Sequence, residues 1–311
     1  MPEHLEQWLQ QHAVYDPRSP KTAPMQEIWT EYAFEELTRG LQTRVFHMKD
    51  QPWVIKEGRW DLDFNLFGNV KMPLPAKLTE DIWKQFSQTF LPTEEEILRQ
   101  YGFYLEFAEY LGFFGSKDID VYHHPELQKL VTAQHQIRDS LVDSLESIED
   151  HFDFTMPEVV KEILEESSIR HHNFLPKEYL LMGPALSKEN QNRDTYFVFQ
   201  EFIQGDHLHD VNLHQLLIRE KHQMILLLLL LLLLHQEKHL LPDMRPRYLV
   251  LEIHNWLTRT DNIILGKQGL KFIDTRWFWQ TDSNFVKRGL IVPEVMLVHA
   301  KNLLVELCES L

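Results

Sequence analysis

Short runs rich in apolar residues, bounded by polar and turn-forming residues, predict β-strands in the first two thirds of the chain. Five runs have this pattern: residues 34–39, 41–49, 53–56, 175–183 and 195–202. Gly40 separates the first two runs, and an Asp-Gln-Pro turn at 50–52 precedes the third. Residues 196–199 are continuously apolar, which predicts a strand buried on both faces.

Two further apolar runs, in the last third of the chain, predict a β-hairpin. Ile263-Ile264-Leu265 and Leu270-Lys271-Phe272-Ile273 are separated by Gly266-Lys267-Gln268-Gly269. Two strands joined by a Gly-containing turn form a hairpin, which holds its two ends close together. Asn262 enters the first strand and Asp274 leaves the second, so we expect both side chains to meet at one end.

Helical periodicity predicts a different structure for the rest of the chain. Three helices are predicted within residues 59–170, beginning near Thr93, His124 and Met156, and one more spans 293–309. Residues 224–234 are eleven consecutive apolar residues, nine of them Leu. A membrane-spanning helix needs about 20. This run therefore predicts a helix buried on all sides within a globular domain.

These elements predict an α+β fold. We expect a lead-in segment at 1–25, to which no function is assigned. It is followed by a sheet lobe at 26–205, which carries a helical insertion at about 59–170. A helical lobe at 206–311 contains the hairpin.

Composition and charge narrow the classes of function. Lys and Arg number 31 against 47 Asp and Glu, a formal net charge of −16, so we expect no binding to nucleic acid. The single cysteine, Cys308, excludes an intramolecular disulfide and a cysteine-based zinc site. Residues 1–5 have neither the basic nor the apolar segment of a signal peptide. We expect a cytoplasmic protein without a transmembrane span.

An amide and a carboxylate that converge at the end of a hairpin make a site for a hard cation such as Mg²⁺. The pattern of Asn262 and Asp274 resembles the metal-binding part of the protein-kinase-like superfamily. Asp274-Thr275-Arg276 stands where that superfamily has Asp-Phe-Gly, a variation that suits divergent bacterial and small-molecule kinases. The alternative interpretation is an ordinary surface hairpin with a polar residue at each end.

The resemblance extends to the predicted strands. Trp53-Val54-Ile55-Lys56 resembles the Val-Ala-Ile-Lys strand, which implies that Lys56 holds ATP phosphates. Only Gly40 stands where kinases carry a Gly-rich loop over these phosphates. The resemblance also implies a hinge after the fifth strand, where the backbone of Glu201 and Ile203 would bind adenine. The alternatives are a solvated edge-strand lysine and a simple linker.

The third part of the resemblance is a catalytic loop. His239 to Pro246 resembles the pattern His-Arg-Asp-Leu-Lys-Pro, which implies that Asp243 is the catalytic base and that Arg245 stands at the Lys position. Kinases place the magnesium-binding Asn about five residues after this Asp. Here Asn262 lies 19 residues after Asp243 (262 − 243), and this departure favours a catalytically inactive pseudokinase.

The sequence therefore supports three hypotheses. The first is a kinase-like two-lobe protein that binds ATP and Mg²⁺ and transfers phosphate to a small molecule, sugar or lipid. The second is a pseudokinase that binds a protein partner in a nucleotide-dependent manner. The third is a helical interaction protein with no nucleotide site. Kinases also pair the strand lysine with a helical glutamate, and five candidates remain: Glu106, Glu109, Glu146, Glu149 and Glu162.

Overall fold

The computed structural model describes residues 2–13, 21–39, 43–58, 138, 140–170, 172–186, 194–242, 262–273, 278–280 and 293–311. The predicted α+β class is confirmed, since an antiparallel sheet and several helices are present. The chain forms two compact units, Met1–Arg99 with Lys177–Phe202, and Gln100–Pro176 with Ile203–Leu311. The helices predicted near Thr93 and His124 begin outside the described residues.

The first unit contains a five-stranded antiparallel sheet. Its strands are β1 (Phe34–Arg39), β2 (Thr43–Met48), β3 (Trp53–Gly58), β4 (Glu178–Pro184) and β5 (Asp194–Glu201). Their order is β1-β2-β3-β5-β4, so β3 is the central strand. All five predicted strand runs are present, with ends that differ from the prediction by a few residues. The β3 residues and six of the eight β5 residues are buried, as expected for strands covered on both faces.

Residues that face one another across the strands define the two faces of this sheet. Ile55 pairs with Phe46 on β2 and with Phe199 on β5. Trp29, on helix α2 (Gln26–Glu31), packs on the same face, with its ring stacked 6.4 Å from that of Phe199. We call this the aromatic face. Lys56 alternates with Ile55 along β3 and therefore belongs to the opposite face.

The segment predicted as a lead-in contains a packed helix. Helix α1 (Pro2–His12) buries Leu5, Trp8 and Leu9, a spacing of three and four residues that forms one apolar stripe. Glu6 on this helix accepts a hydrogen bond from Lys177 Nζ at 3.0 Å. The short stripe among polar residues is a weak signal in the sequence, and the sheet supplies the surface that makes it stable.

The second unit combines helices with short antiparallel strands. Its helices are α3 (Leu145–Phe152), α4 (Val159–Glu165), α5 (Ser167–Arg170), α6 (Ile218–Lys238) and α7 (Pro293–Glu309). Its strands are β6 (Gly205–His207), β7 (Leu240–Pro242), β8 (Ile263–Gly266), β9 (Gly269–Phe272) and β10 (Phe278–Gln280). Strands β6, β8 and β9 form one sheet in that order, and β7 pairs with β10. Helix α7 has the predicted bounds.

The leucine-rich run lies inside α6. Every residue from Met224 to Leu234 is at most 2 % exposed, which confirms the prediction of a helix buried on all sides. Lys221, near its amino-terminal end, donates hydrogen bonds to the Ser310 carbonyl at 2.9 Å and hydroxyl at 3.0 Å, beyond the end of α7. Among the described residues, no helix is both long and apolar enough to span a bilayer.

Candidate functional site

Lys56 lies in the middle of the central strand of the five-stranded sheet. It is 7 % exposed and pairs with Val45 on β2 and Val198 on β5. The interpretation as a solvated edge lysine does not hold, because β3 has a neighbour on each side. A buried ammonium group is costly unless polar or charged groups compensate it, so its environment is of chemical interest.

Two other polar side chains are buried on the same face as Lys56. Gln200 on β5 is 2 % exposed, and Glu178 on β4 is 5 % exposed. Glu178 pairs with Gln200, which in turn pairs with Val54, two residues before Lys56. Gln200 Nε2 donates a hydrogen bond to Glu178 Oε1. We call Lys56, Gln200 and Glu178 the polar row.

The segment after β5 was predicted to be a hinge whose backbone binds adenine. The Glu201 amide donates to the Lys177 carbonyl at 2.8 Å, and the next amide, that of Phe202, donates to the Pro52 carbonyl at 2.9 Å. The N–H groups of these successive residues thus point to opposite sides of the strand, as in an extended chain. Ile203 is half-buried and begins the second unit. An adenine-binding role for Glu201 and Ile203 stays a prediction.

The predicted hairpin is present in the second unit, with Asn262 at its open end. Ile263 pairs with Phe272 and Gly266 with Gly269. The ladder continues for one more pair, since the Ile273 amide donates to the Asn262 carbonyl at 2.7 Å. Asn262 is half-buried. Asp274 directly follows Ile273 in the sequence and lies outside the described residues.

Gly269 determines how tightly the hairpin turns. Its φ angle is +97°, which side chains other than glycine rarely tolerate. A Cβ atom there would lie 2.3 Å from the Gln223 Oε1 of helix α6. The turn therefore needs glycine both for its backbone conformation and for the close approach of the buried helix.

The pairing of β7 with β10 limits how far the start of the predicted catalytic loop can lie from the hairpin. Pro242 at the end of β7 pairs with Phe278 at the start of β10. Five Cα–Cα steps lead from Ile273 to Phe278, so the Cα atoms of these two residues are at most about 18 Å apart. The chain thus tethers the residue before Asp243 to the open end of the hairpin. The paired segments are separated by more than thirty residues, and two short apolar runs are the one signal for this pairing in the sequence.

Hydrogen bonds among His172, Gln223 and Leu270 fix the hairpin in the second unit. His172 Nε2 lies 2.9 Å from the Leu270 carbonyl, and His172 Nδ1 lies 3.2 Å from Gln223 Nε2. Gln223 Oε1 accepts from the Leu270 amide at 3.2 Å. Because the carbonyl can only accept, this network requires a neutral imidazole that donates from Nε2 and accepts at Nδ1. His172 is therefore a structural residue.

Burial lowers the pKa of two groups around this segment. It lowers the pKa of His172 to about 4, although the hydrogen bond to the Leu270 carbonyl opposes the effect. It also lowers the pKa of Arg138 to about 9. Arg138 donates from Nη1 to the carbonyls of Arg170 and His172, each at 2.7 Å. The segment before β4 is thus fixed by contacts of its backbone oxygens.

The helical glutamates proposed as partners of Lys56 divide into two groups. Glu106 and Glu109 lie outside the described residues. Glu146 and Glu162 are exposed, and the Glu149 carboxylate accepts a hydrogen bond from the Met156 amide. Glu178 was not among the candidates, because the resemblance implied a glutamate on a helix and Glu178 lies within the predicted strand at 175–183.

Four of the eight predicted site residues are described: Lys56, Glu201, Ile203 and Asn262. Gly40, Asp243, Arg245 and Asp274 lie outside the described residues. Lys56 and Glu201 belong to the first unit, and Ile203 and Asn262 belong to the second. In the described part of the chain, no group of three or more His, Cys, Asp or Glu side chains is arranged to hold a metal ion.

Comparisons with family models, with curated proteins and with solved structures found no match for this chain.

Proposed function

We propose that this chain is a kinase-like protein that binds ATP together with Mg²⁺ and transfers phosphate to a small molecule, sugar or lipid. The observation that carries the proposal is the burial of Lys56 in the central strand of an antiparallel sheet, within the segment that resembles the phosphate-binding strand of kinases. Support also comes from the hairpin that begins at Asn262 in the second unit.

Lys56 has the properties that phosphate binding needs. Its long stem delivers a point charge, and the low dielectric around a buried group strengthens attraction to phosphate oxygens. The backbone of Glu201 and Ile203 is proposed to bind the adenine base. Gly40, the one glycine at the position of a Gly-rich loop, is proposed to let the chain pass close to the phosphates.

The second unit is proposed to supply the groups for the metal and the acceptor. Asn262 and Asp274 offer the amide and carboxylate oxygens that Mg²⁺ prefers. When bound, Mg²⁺ neutralises charge on the phosphates. Asp243 would orient the acceptor hydroxyl and take its proton, and Arg245 would neutralise charge on the transferred group.

Nucleotide binding is tested by thermal unfolding with ATP, with and without Mg²⁺. At a ligand concentration about 100 times Kd, we expect Tm to rise by roughly 5 °C or more. Lys56→Met should weaken the binding of Mg·ATP by about ten-fold or more, because it removes the charge and keeps the apolar stem. Lys267→Met, at an exposed lysine of the hairpin turn, is the matched control and should bind as the wild type does.

The absence of any Tm shift in the wild-type protein would reject nucleotide binding and leave the helical interaction protein as the better hypothesis. A measurement of ADP release separates the pseudokinase hypothesis from the hypothesis of an active kinase. If the wild type releases ADP in the presence of candidate acceptors and Asp243→Asn does not, the protein is an active kinase. Binding of Mg·ATP without any turnover, in both proteins, favours the pseudokinase, which the 19-residue spacing between Asp243 and Asn262 suggested.

A further inference from the structure

Two of the places where the chain passes between the compact units are bonded to each other. The segment Lys177–Phe202 belongs to the first unit, and the residues directly before and after it belong to the second. The Glu201 amide donates to the Lys177 carbonyl at 2.8 Å, and the Lys177 amide donates to the Glu201 carboxylate at 3.3 Å. We call Lys177 and Glu201 the crossing pair, because one lies at each end of this segment.

Helix α1 is attached directly to the crossing pair. Glu6 Oε1 accepts a hydrogen bond from Lys177 Nζ at 3.0 Å and a second one from the Tyr179 hydroxyl at 3.3 Å. Gln10, one turn further along α1, donates to the same hydroxyl at 3.4 Å. The Tyr179 side chain is 1 % exposed, so its position is fixed by the core. One carboxylate of α1 thus holds Lys177 against a buried residue of β4.

The helix itself is held in place by groups outside the crossing pair. Leu5, Trp8 and Leu9 form its buried apolar stripe, and each of them is at most 9 % exposed. Trp8 Nε1 also donates to a Glu27 carboxylate oxygen on α2 at 3.0 Å. Because this anchorage does not depend on Lys177, the helix can restrict the motion of Lys177 through Glu6.

The exposure of the ion pair indicates what it does. The Lys177 and Glu6 side chains are 40 % and 31 % exposed, and an ion pair in such a position adds little to overall stability. The apolar stripe is therefore the main attachment of α1 to the first unit. The effect that remains for Glu6 is a local one, on the opening of the backbone around the crossing pair.

We infer that α1 is a clamp on the crossing pair and that Glu6 is the positioning residue of this clamp. Local opening of a backbone segment occurs without global unfolding, and contacts made by the segment suppress it. Under the proposed function, on which this last step rests, the clamp preorganises the backbone of Glu201 for the adenine base. Preorganisation raises affinity because less ordering remains to be done on binding.

The first experiment needs no nucleotide. Amide hydrogen exchange of the full chain is followed by NMR, with the Ile55 amide of central strand β3 as the reference for global unfolding. Glu6→Gln should speed exchange of the Glu201 amide by about two- to five-fold and leave Ile55 unchanged. About 1 M NaCl should speed exchange at Glu201 in the wild type and much less in Glu6→Gln, because salt screens the ion pair.

Reversal of the two charges provides a rescue. Glu6→Lys and Lys177→Glu should each speed exchange at Glu201, and the double variant should return it toward the wild-type rate. Glu35→Gln, at an exposed carboxylate of the opposite edge strand β1, is the matched control and should leave this rate unchanged.

The clamp is rejected if exchange at Glu201 is the same in the wild type and in folded Glu6→Gln. Far-UV circular dichroism and thermal unfolding check that each variant is folded. The salt dependence of the wild type needs no variant, so it decides the question if Glu6→Gln does not fold. Exchange at Glu201 that responds to salt no more than exchange at Ile55 would also overturn the inference.

The second experiment measures affinity for Mg·ATP. Glu6→Gln should weaken binding by about two- to five-fold, and the double charge reversal should recover most of the loss. A wild-type protein that binds no Mg·ATP would reject the proposed function, while the exchange rates would still decide whether α1 clamps the crossing pair. Faster exchange at Glu201 with unchanged affinity for Mg·ATP would overturn the step that connects the clamp to the adenine base.

Discussion

At the scale of single residues, burial decides what each charged or polar group does. His172 is an example, since both of its ring nitrogens take part in hydrogen bonds inside the second unit. The His172 ring joins helix α6 to the hairpin, which is a task for a neutral imidazole.

The protonation of His172 should make stability depend on pH. Its pKa in the folded protein is about 4, below the ordinary value of 6.5, so the unfolded chain binds more protons between these two values. The free energy of unfolding should therefore fall as pH decreases from about 6.5 to about 4, by roughly 3 kcal/mol for this group. Urea unfolding at several pH values measures the effect.

His172→Gln should lose most of this pH dependence, because glutamine does not titrate. His4→Gln, at an exposed histidine of α1, is the control and should keep the wild-type pH profile. Equal slopes of stability against pH for the wild type and His172→Gln, between pH 4 and 6.5, would show that His172 is not the titrating group.

At the scale of elements, the hairpin is held by both its turn and its neighbours. The Leu270 amide and carbonyl are bound by Gln223 and His172, and Lys271 Nζ donates to the Asn173 carbonyl at 2.8 Å. The Phe272 amide donates to the Phe174 carbonyl at 2.6 Å. These contacts fix the strand that leads to Asp274, so the position of the open end depends on the core of the second unit.

Replacing Gly269 tests this arrangement. Gly269→Ala should reduce the free energy of unfolding by about 1–3 kcal/mol, because alanine is strained at a φ of +97° and its Cβ would overlap with Gln223. Gly266→Ala is the matched control at the other end of the turn. Its Cβ would lie 3.1 Å from an Ile203 methyl carbon, so a smaller loss is expected.

Chemical denaturation of both variants provides the comparison. If Gly269→Ala is as stable as the wild type, the turn does not depend on a glycine, and Gln223 does not limit its conformation. A loss for Gly266→Ala that equals or exceeds the loss for Gly269→Ala would also contradict the expectation.

At the scale of the whole molecule, the excess of acidic residues limits the partners. A formal charge of −16 repels polyanions over distances comparable to the Debye length, about 8 Å at physiological salt. A small anion such as ATP is bound by local groups and by its accompanying Mg²⁺, so its binding is compatible with the same charge. The protein should therefore discriminate strongly between a nucleotide and a nucleic acid.

We expect this chain to bind a 20-base-pair DNA duplex more weakly than about 100 µM at 0.15 M NaCl, because too few cations oppose the phosphates. Fluorescence anisotropy of labelled DNA measures the affinity, and a basic DNA-binding protein serves as the positive control. Micromolar binding that weakens steeply with added salt would reveal a basic patch and contradict the expectation.

The sequence by itself determined the elements that depend on local pattern. The strand Phe34–Arg39, the helix Pro293–Glu309, the buried leucine helix and the hairpin at Gly266–Gly269 could all be predicted, because alternation, helical spacing and turn glycines are properties of neighbouring residues. Half of the predicted site residues lie outside the described ranges, and their roles stay predictions.

Only the tertiary structure decided which distant residues meet. The order β1-β2-β3-β5-β4 makes the strand of Lys56 central, and it brings Glu178 opposite Gln200, 22 residues away along the chain. The pairing of β7 with β10 and the hydrogen bonds of His172 likewise join segments far apart in the sequence. The physical reason is that strand order and register depend on how whole surfaces pack, and a local pattern does not specify which surface will be its partner.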